Sequence, residues 1–282
     1  MTQRFLRTLL DEASRPFRGG GHFAYHYARG KLSSDSIFRE VLKRGILPAE
    51  GRYLDLGCGQ GSLFSWLLAA RRLHDAGHWP QGWPAAPKPL QLRGIELMHK
   101  DVARAARAFG ADHPVVRIEQ GDMTRADFGR ADVITILDAL HYFDHAHQQD
   151  VLKRIRAALP AGGLFLTRVG DASAGLPYHL CNWVDHAVTF VRGHRLPRLY
   201  CRPLAEWIAL LQSLGFSVET DPMNEGKPFA NVMLVCRVPA NPPACATLSS
   251  TRCCTASACT WRPGRGAPTT PAAPTRTPYS PA

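Results

Sequence analysis

The 282-residue sequence contains no run of roughly 18 uncharged apolar residues, so no transmembrane helix is expected. The first residues lack the apolar core of a secretory leader, because Arg4 and Arg7 give way to Asp11 and Glu12 before any such stretch. A soluble, cytoplasmic protein is the expectation. Cysteine never occurs as a CxxC pair or with histidine at metal-ligand spacing. Four of the eight, Cys245, Cys253, Cys254 and Cys259, crowd the last stretch, while Cys58, Cys181, Cys201 and Cys236 are scattered. Neither a metal site nor a disulfide framework is indicated. Acidic residues are missing from 240–282, which holds Arg252, Arg262, Arg265 and Arg276, so the formal charge of +11 falls to +7 for residues 1–239. A basic body of that size suits an anionic substrate or carrier, and an ordinary solvated surface explains it as well. No concentrated basic stripe with interleaved aromatics is present, so a nucleic-acid partner is not expected.

What is present is an alternation of strand and helix. Tyr53–Leu56, Leu92–Ile95, Val115–Glu119, Val133–Leu137 and Leu164–Thr167 read as apolar strands. Between them, 63–68, 102–109 and 151–159 carry helical spacing, the last closed by Pro160 with Gly162 and Gly163. A helix over 204–214, stopped by Gly215, precedes a terminal strand pair at 216–218 and 232–236. The expected fold class is α/β, a doubly wound and mostly parallel seven-stranded sheet that binds its ligand at the carboxyl ends of the strands. Three further regions are expected. Residues 1–50 form a helical lead that serves as a substrate lid, and the main domain spans 51–239, with a loop insertion at 71–90 and a cap segment at 170–203. Residues 240–282 have no apolar period and are expected to be a disordered tail.

The strongest motif is Leu54-Asp55-Leu56-Gly57-Cys58-Gly59-Gln60-Gly61, a strand running into closely spaced glycines and then a helix. Such a turn lets the backbone approach a ligand, although an ordinary tight connection uses glycines too. A dinucleotide site wants GxGxxG and room for pyrophosphate. Here the spacing is GxGxG, and Asp55 would repel pyrophosphate while suiting a ligand that carries an ammonium and a sulfonium. Glu96 ends the second strand 41 residues after Asp55, a gap that falls to 21 without the 20 residues of 71–90. About 20 residues is the separation at which a carboxylate reaches ribose hydroxyls in such folds. Gln120-Gly121-Asp122-Met123 follows the third strand, and Asp138, His141 and Tyr142 follow the fourth.

The DLGCGQG segment is similar to the first motif of class I methyltransferases that depend on S-adenosyl-L-methionine. The resemblance implies a Rossmann-like methyltransferase fold and S-adenosyl-L-methionine as cofactor. It implies that the cofactor lies along Asp55, Gly57, Cys58, Gly59, Glu96, Leu97, Asp122, Met123 and Asp138. Within that pattern Asp122 reaches the adenine amino group, Met123 packs on the ring, and Asp138, His141 and Tyr142 border the reaction centre. The stretches GHFAYHYARGKL, RGIELM, ILDALHY and NWVDHAV further resemble a bacterial methyltransferase of aryl polyene pigment gene clusters. That narrower likeness implies a small aromatic or carrier-linked acceptor of secondary metabolism.

Methyl transfer asks for position, desolvation and a route for the acceptor's proton. The candidate catalytic residues are His141, Tyr142 and His26. At an ordinary pKa of about 6.5, His141 is the best available base near neutral pH. Two other readings stay open. One is a non-catalytic cofactor-binding or scaffold subunit of a biosynthetic complex, a role that the basic charge and an exposed Trp79 and Trp83 would suit. The other is a nicotinamide-dependent oxidoreductase, which the Asp55 turn argues against. The Asn/Asp-Pro-Pro-Tyr/Phe signature of amino-group DNA methylases is absent, since 138–141 read Asp-Ala-Leu-His.

Overall fold

Residues that alternate along the strands divide cleanly between two apolar layers. Tyr53, Val133, Leu164, Leu166, Met233 and Val235 point to one side, and Leu54, Ile134, Phe165, Leu234 and Cys236 to the other. A sheet apolar on both faces must be covered on both. A computed structural model of the chain describes residues 2–174, 199–223 and 231–240, all within the compact unit Met1–Ala244. The cap residues Tyr178, Trp183, His186 and His194 and the tail 241–282 lie outside the described residues.

The strands are β1 (Glu50–Leu56), β2 (Lys88–Glu96), β3 (Val116–Gln120), β4 (Val133–Leu137), β5 (Leu164–Gly170), β6 (Ser217–Pro222) and β7 (Asn231–Arg237). They form one seven-stranded sheet in the order β3-β2-β1-β4-β5-β7-β6, with β7 antiparallel to both neighbours and the rest parallel. The order reverses between β1 and β4, and the crevice outside their carboxyl ends is where such a sheet takes a ligand. The expected fold class is the observed one.

One face is covered by α1 (Thr2–Ser14), α3 (Ser36–Lys43) and α4 (Ser62–Asp75), the other by α6 (His145–Ala158) and α7 (Leu204–Ser213). α2 (His22–Ser34) and α5 (His99–Phe109) are the remaining α-helices among the described residues, and Phe17, Ala24 and Ala28 form a small third core against Phe109. α3 begins where Asp35 caps it, the side chain accepting from Ile37 N at 3.2 Å. Such a cap is worth about 1 kcal/mol. Its buried stripe of Ile37, Phe38, Val41 and Leu42 then packs on the sheet.

Two expectations need correction. The loop insertion is shorter than 71–90, because α4 continues through Asp75 on the buried Leu73 and β2 already starts at Lys88. Trp79 and Trp83 are not exposed. They are half-buried against the α1 core, each in edge contact with Phe5, with ring centroids at 5.3 and 5.6 Å. They anchor the shortened loop, which removes the support they lent to a scaffold reading.

Candidate functional site

The glycine turn joins the ends of four strands. Gly57 N donates to Ile95 O at 2.8 Å, tying the turn to β2. Gly57 has φ +76°, and a Cβ there would meet Ala139 Cβ at 3.2 Å and Met123 Cε at 3.3 Å, so the segments after β3 and β4 pack directly on it. Gly61, at φ +84°, is hemmed in by Ile118 and Phe109, each 2.7 Å from an added Cβ. Gly59 differs. Its φ is +57°, yet a Cβ there would meet nothing within 4 Å, so this glycine faces open space. Its N–H donates to Glu96 Oε2 at 2.7 Å, and Met98 N donates to Glu96 Oε1 at 2.8 Å. The two strongest sequence motifs are therefore in direct contact.

Asp55 is 5 % exposed, and its Oδ1 accepts from the Thr135 hydroxyl at 2.6 Å across the β1–β4 pairing. Burial pushes its pKa up to about 6; the Thr135 bond and the charge of Lys31 oppose that shift, and Glu96 adds to it. A buried carboxylate so weakly compensated is a natural partner for a cationic ligand. Asp122 accepts from Thr124 N and Thr124 Oγ1 on Oδ1 alone, at 2.8 Å each. Leu97 is exposed on the rim beside β2. Cys58 turns inward, its Sγ so close to Gly94 that a Cβ there would lie 2.5 Å away. Only its backbone faces the turn, and burial raises its thiol pKa.

At the end of β4 the chain enters a left-handed conformation at Asp138, φ +59°, unique among the described non-glycine residues. Its carboxylate accepts from Arg168 Nε at 2.6 Å and from Arg168 Nη2. Arg168 also donates to Asp35, from Nη1 at 2.5 Å and from Nη2 at 2.8 Å. Burial alone would raise the Asp138 pKa, but Arg168 outweighs it, with Lys31 and His141 adding, and holds it well below the usual carboxylate range. Asp138, expected along the cofactor, thus has both oxygens engaged within the protein.

His141 lies in a short 3-10 turn, Leu140–Tyr142, and is 8 % exposed. Its ring meets Tyr142 edge-on at 4.3 Å, and Tyr142 reaches the rim. Burial, helped by Arg168 and opposed by Asp138, lowers the His141 pKa to about 4. The expectation of an ordinary histidine base is corrected: the imidazole is neutral, and weakly basic, near neutral pH. His26 stands on an exposed part of α2, with its ring against His22 at 4.1 Å and Tyr25 at 5.1 Å. Lys31 is the residue that α2 brings to β4, with Nζ 3.7 Å from Asp138.

Sequence reasoning missed Lys31, Asp35, Arg168 and two glutamines. Buried Gln60 donates to Ala24 O at 2.8 Å, docking α2 on the glycine turn. Gln148 is fully buried and donates to Leu140 O, Phe143 O and Tyr200 O at 3.1, 3.0 and 2.7 Å, fixing the turn that carries His141. An arginine ending an apolar strand was the one visible signal for Arg168. Among the described residues no group of three or more His, Cys, Asp or Glu side chains is placed to hold a metal ion, and no helix is long and apolar enough to cross a membrane.

Residues 54–165 match the model of a family described as a methyltransferase domain. The carboxy-S-adenosyl-L-methionine synthase of Chromohalobacter salexigens is 30% identical over 114 residues, which is 40% of this chain and 37% of that protein. The chain therefore spans well under half the length of this curated relative. An O-methyltransferase family protein from Burkholderia thailandensis superposes with a TM-score of 0.54 at 16% identity, over 79% of this chain and 62% of that one. Human N-acetylserotonin methyltransferase, solved in complex with S-adenosylmethionine, gives a TM-score of 0.50 at 16% identity, over 76% and 54% of the two chains. At such identities the likeness shows the fold alone, a Rossmann-like α/β sheet.

Proposed function

We propose that this chain transfers a methyl group from S-adenosylmethionine to a small-molecule acceptor. The observation that carries the reading is the joined mouth of β1 and β2: Gly59 faces open space while its N–H holds the Glu96 carboxylate, beside the buried and undercompensated Asp55. These residues fit the cofactor. Asp55 offers a negative charge for its ammonium, Glu96 has lone pairs left for ribose hydroxyls, Asp122 Oδ2 can accept from the adenine amino group, and Leu97 and Met123 offer apolar surface to the ring. When bound, the cofactor supplies a methyl already activated on a sulfonium.

The protein's part is then position and exclusion of water. Holding donor and acceptor in near-attack geometry can contribute about 7–11 kcal/mol. His141, with a pKa near 4, is a poor general base at neutral pH. It serves better as a neutral hydrogen-bonding group beside Tyr142, which favours an acceptor that arrives anionic or loses its proton to water. Resemblance in motif wording favours an aromatic or carrier-linked acceptor of secondary metabolism. A second reading follows from the curated relative, whose name describes chemistry on S-adenosylmethionine itself.

A mass-spectrometric screen of aromatic acids and carrier-bound acyl groups tests the choice. A gain of one methyl, with stoichiometric S-adenosylhomocysteine, is the expected result. Consumption of S-adenosylmethionine into a modified cofactor, with no methylated acceptor, would favour the second reading. No turnover of S-adenosylmethionine in any mixture would overturn both.

A further inference from the structure

Among the described residues, the ion cluster at the end of β4 contains one cation with no hydrogen bond. All four oxygens of Asp35 and Asp138 accept from the single Arg168 guanidinium. Lys31 approaches this saturated group only to 3.7 Å, beyond hydrogen-bond reach, and its ammonium donates to no acceptor among the described residues. Its side chain is only 29 % exposed, so it has given up much of its water without regaining directed bonds. The residue is nevertheless held firmly. Lys31 lies in the last turn of α2, its carbonyl accepting from Asp35 N at 3.1 Å, and α2 is docked by the Gln60–Ala24 bond.

The placement of Lys31 is informative. Asp55 is the penultimate residue of β1 and Asp138 directly follows β4, on the two sides of the crevice at which the strand order reverses. Lys31 contacts Asp138 and is also among the charges acting on Asp55. The mouth therefore presents one underbonded ammonium and one underbonded carboxylate, the complement of an α-amino acid zwitterion. Resting on the reading given above, we propose that Lys31 receives the α-carboxylate of the cofactor's amino-acid end while Asp55 takes its ammonium. Lys31 is thus the residue that distinguishes an amino-acid-bearing adenosyl ligand from one that lacks the carboxylate. A charge-assisted bond of this kind contributes about 1.5–3 kcal/mol, which is roughly 10- to 150-fold in affinity.

Calorimetric titrations with three probes test this. The probes are S-adenosylhomocysteine, its decarboxylated analogue (which keeps the ammonium), and methylthioadenosine (which lacks the whole amino-acid end). Wild-type protein should prefer S-adenosylhomocysteine over the decarboxylated analogue by at least about tenfold. Lys31→Met should abolish that preference while leaving methylthioadenosine affinity within about threefold, which also certifies the fold. Lys31→Arg should restore much of the preference. If Lys31→Met leaves the preference intact, or weakens all three probes equally, Lys31 does not read the carboxylate and the inference fails while the cofactor reading stands. If wild-type protein binds none of the three probes, the cofactor reading itself fails.

Discussion

Replacing Asp55 with asparagine should stabilise the ligand-free protein and weaken its ligand, two effects that ordinary damage to a core does not produce together. Asp55 is buried, accepts one hydrogen bond from Thr135, and has its pKa raised from 3.8 to about 6. A carboxyl group with a raised folded-state pKa favours folding in its protonated form. The advantage is present below about pH 4 and is lost as pH rises through 6. A shift of about two units is worth about 3 kcal/mol at 1.36 kcal/mol per unit, so the ionised Asp55 destabilises the empty protein by at most that amount above pH 6. Asparagine keeps an oxygen for the Thr135 hydroxyl and removes the charge. Asp55→Asn should therefore raise stability at pH 7.5 by roughly 1–3 kcal/mol, and the gain should vanish near pH 4. Binding should show the opposite sign. Wild-type affinity for S-adenosylhomocysteine should fall about tenfold between pH 7 and pH 5, because the ammonium of the ligand pairs with ionised Asp55 only. In Asp55→Asn the affinity should be lower by about 10-fold or more at pH 7.5 and flat with pH. Thermal unfolding and calorimetry from pH 4 to 8 measure both. A variant less stable at every pH, or a wild-type affinity flat from pH 5 to 8, would show that Asp55 is neither undercompensated in the empty site nor the partner of the ammonium.

The glycines of the turn should separate folding from binding. Gly61→Ala drives a Cβ into Ile118 and Phe109 and should lower the melting temperature markedly. Gly59→Ala meets no protein atom, so it should lose only about 1–2 kcal/mol of stability from its left-handed backbone while binding of S-adenosylhomocysteine falls sharply. Equal effects of the two on stability would contradict this division. Arg168→Met leaves two acids without their shared partner and should cost about 3–5 kcal/mol in chemical denaturation. The double variant with Asp138→Gly should recover part of that loss, since it removes both a stranded charge and the left-handed non-glycine residue. His141→Ala should leave the turnover profile between pH 6 and 9 unshifted, because a group with a pKa near 4 does not titrate in that range.

The sheet was legible because each strand carries its own period. Tyr53 and Leu54, or Val133 and Ile134, assign opposite faces from adjacent letters. Glycine spacing and Asp55 pointed to the turn in the same local way. Polar elements were harder to read. α6 starts at His145, six residues before its apolar period shows, because the Asp144 side chain caps it through His147 N at 2.9 Å. Trp79 and Trp83 read as surface residues because their partner, Phe5, lies in α1, far back along the chain. The ion cluster was invisible for the same reason: Arg168 meets Asp138 across 30 residues and Asp35 across 133. No local pattern announces such a pairing, and with it went the low basicity of His141, which depends on burial by the assembled fold.

Titrating the purified protein with S-adenosylhomocysteine and, separately, with NADH decides which cofactor the glycine turn holds. Saturable binding of S-adenosylhomocysteine at one site, weakened by Glu96→Ala and by Gly59→Ala, with no binding of NADH, is the expected outcome. Tight binding of NADH with no response to S-adenosylhomocysteine would contradict it.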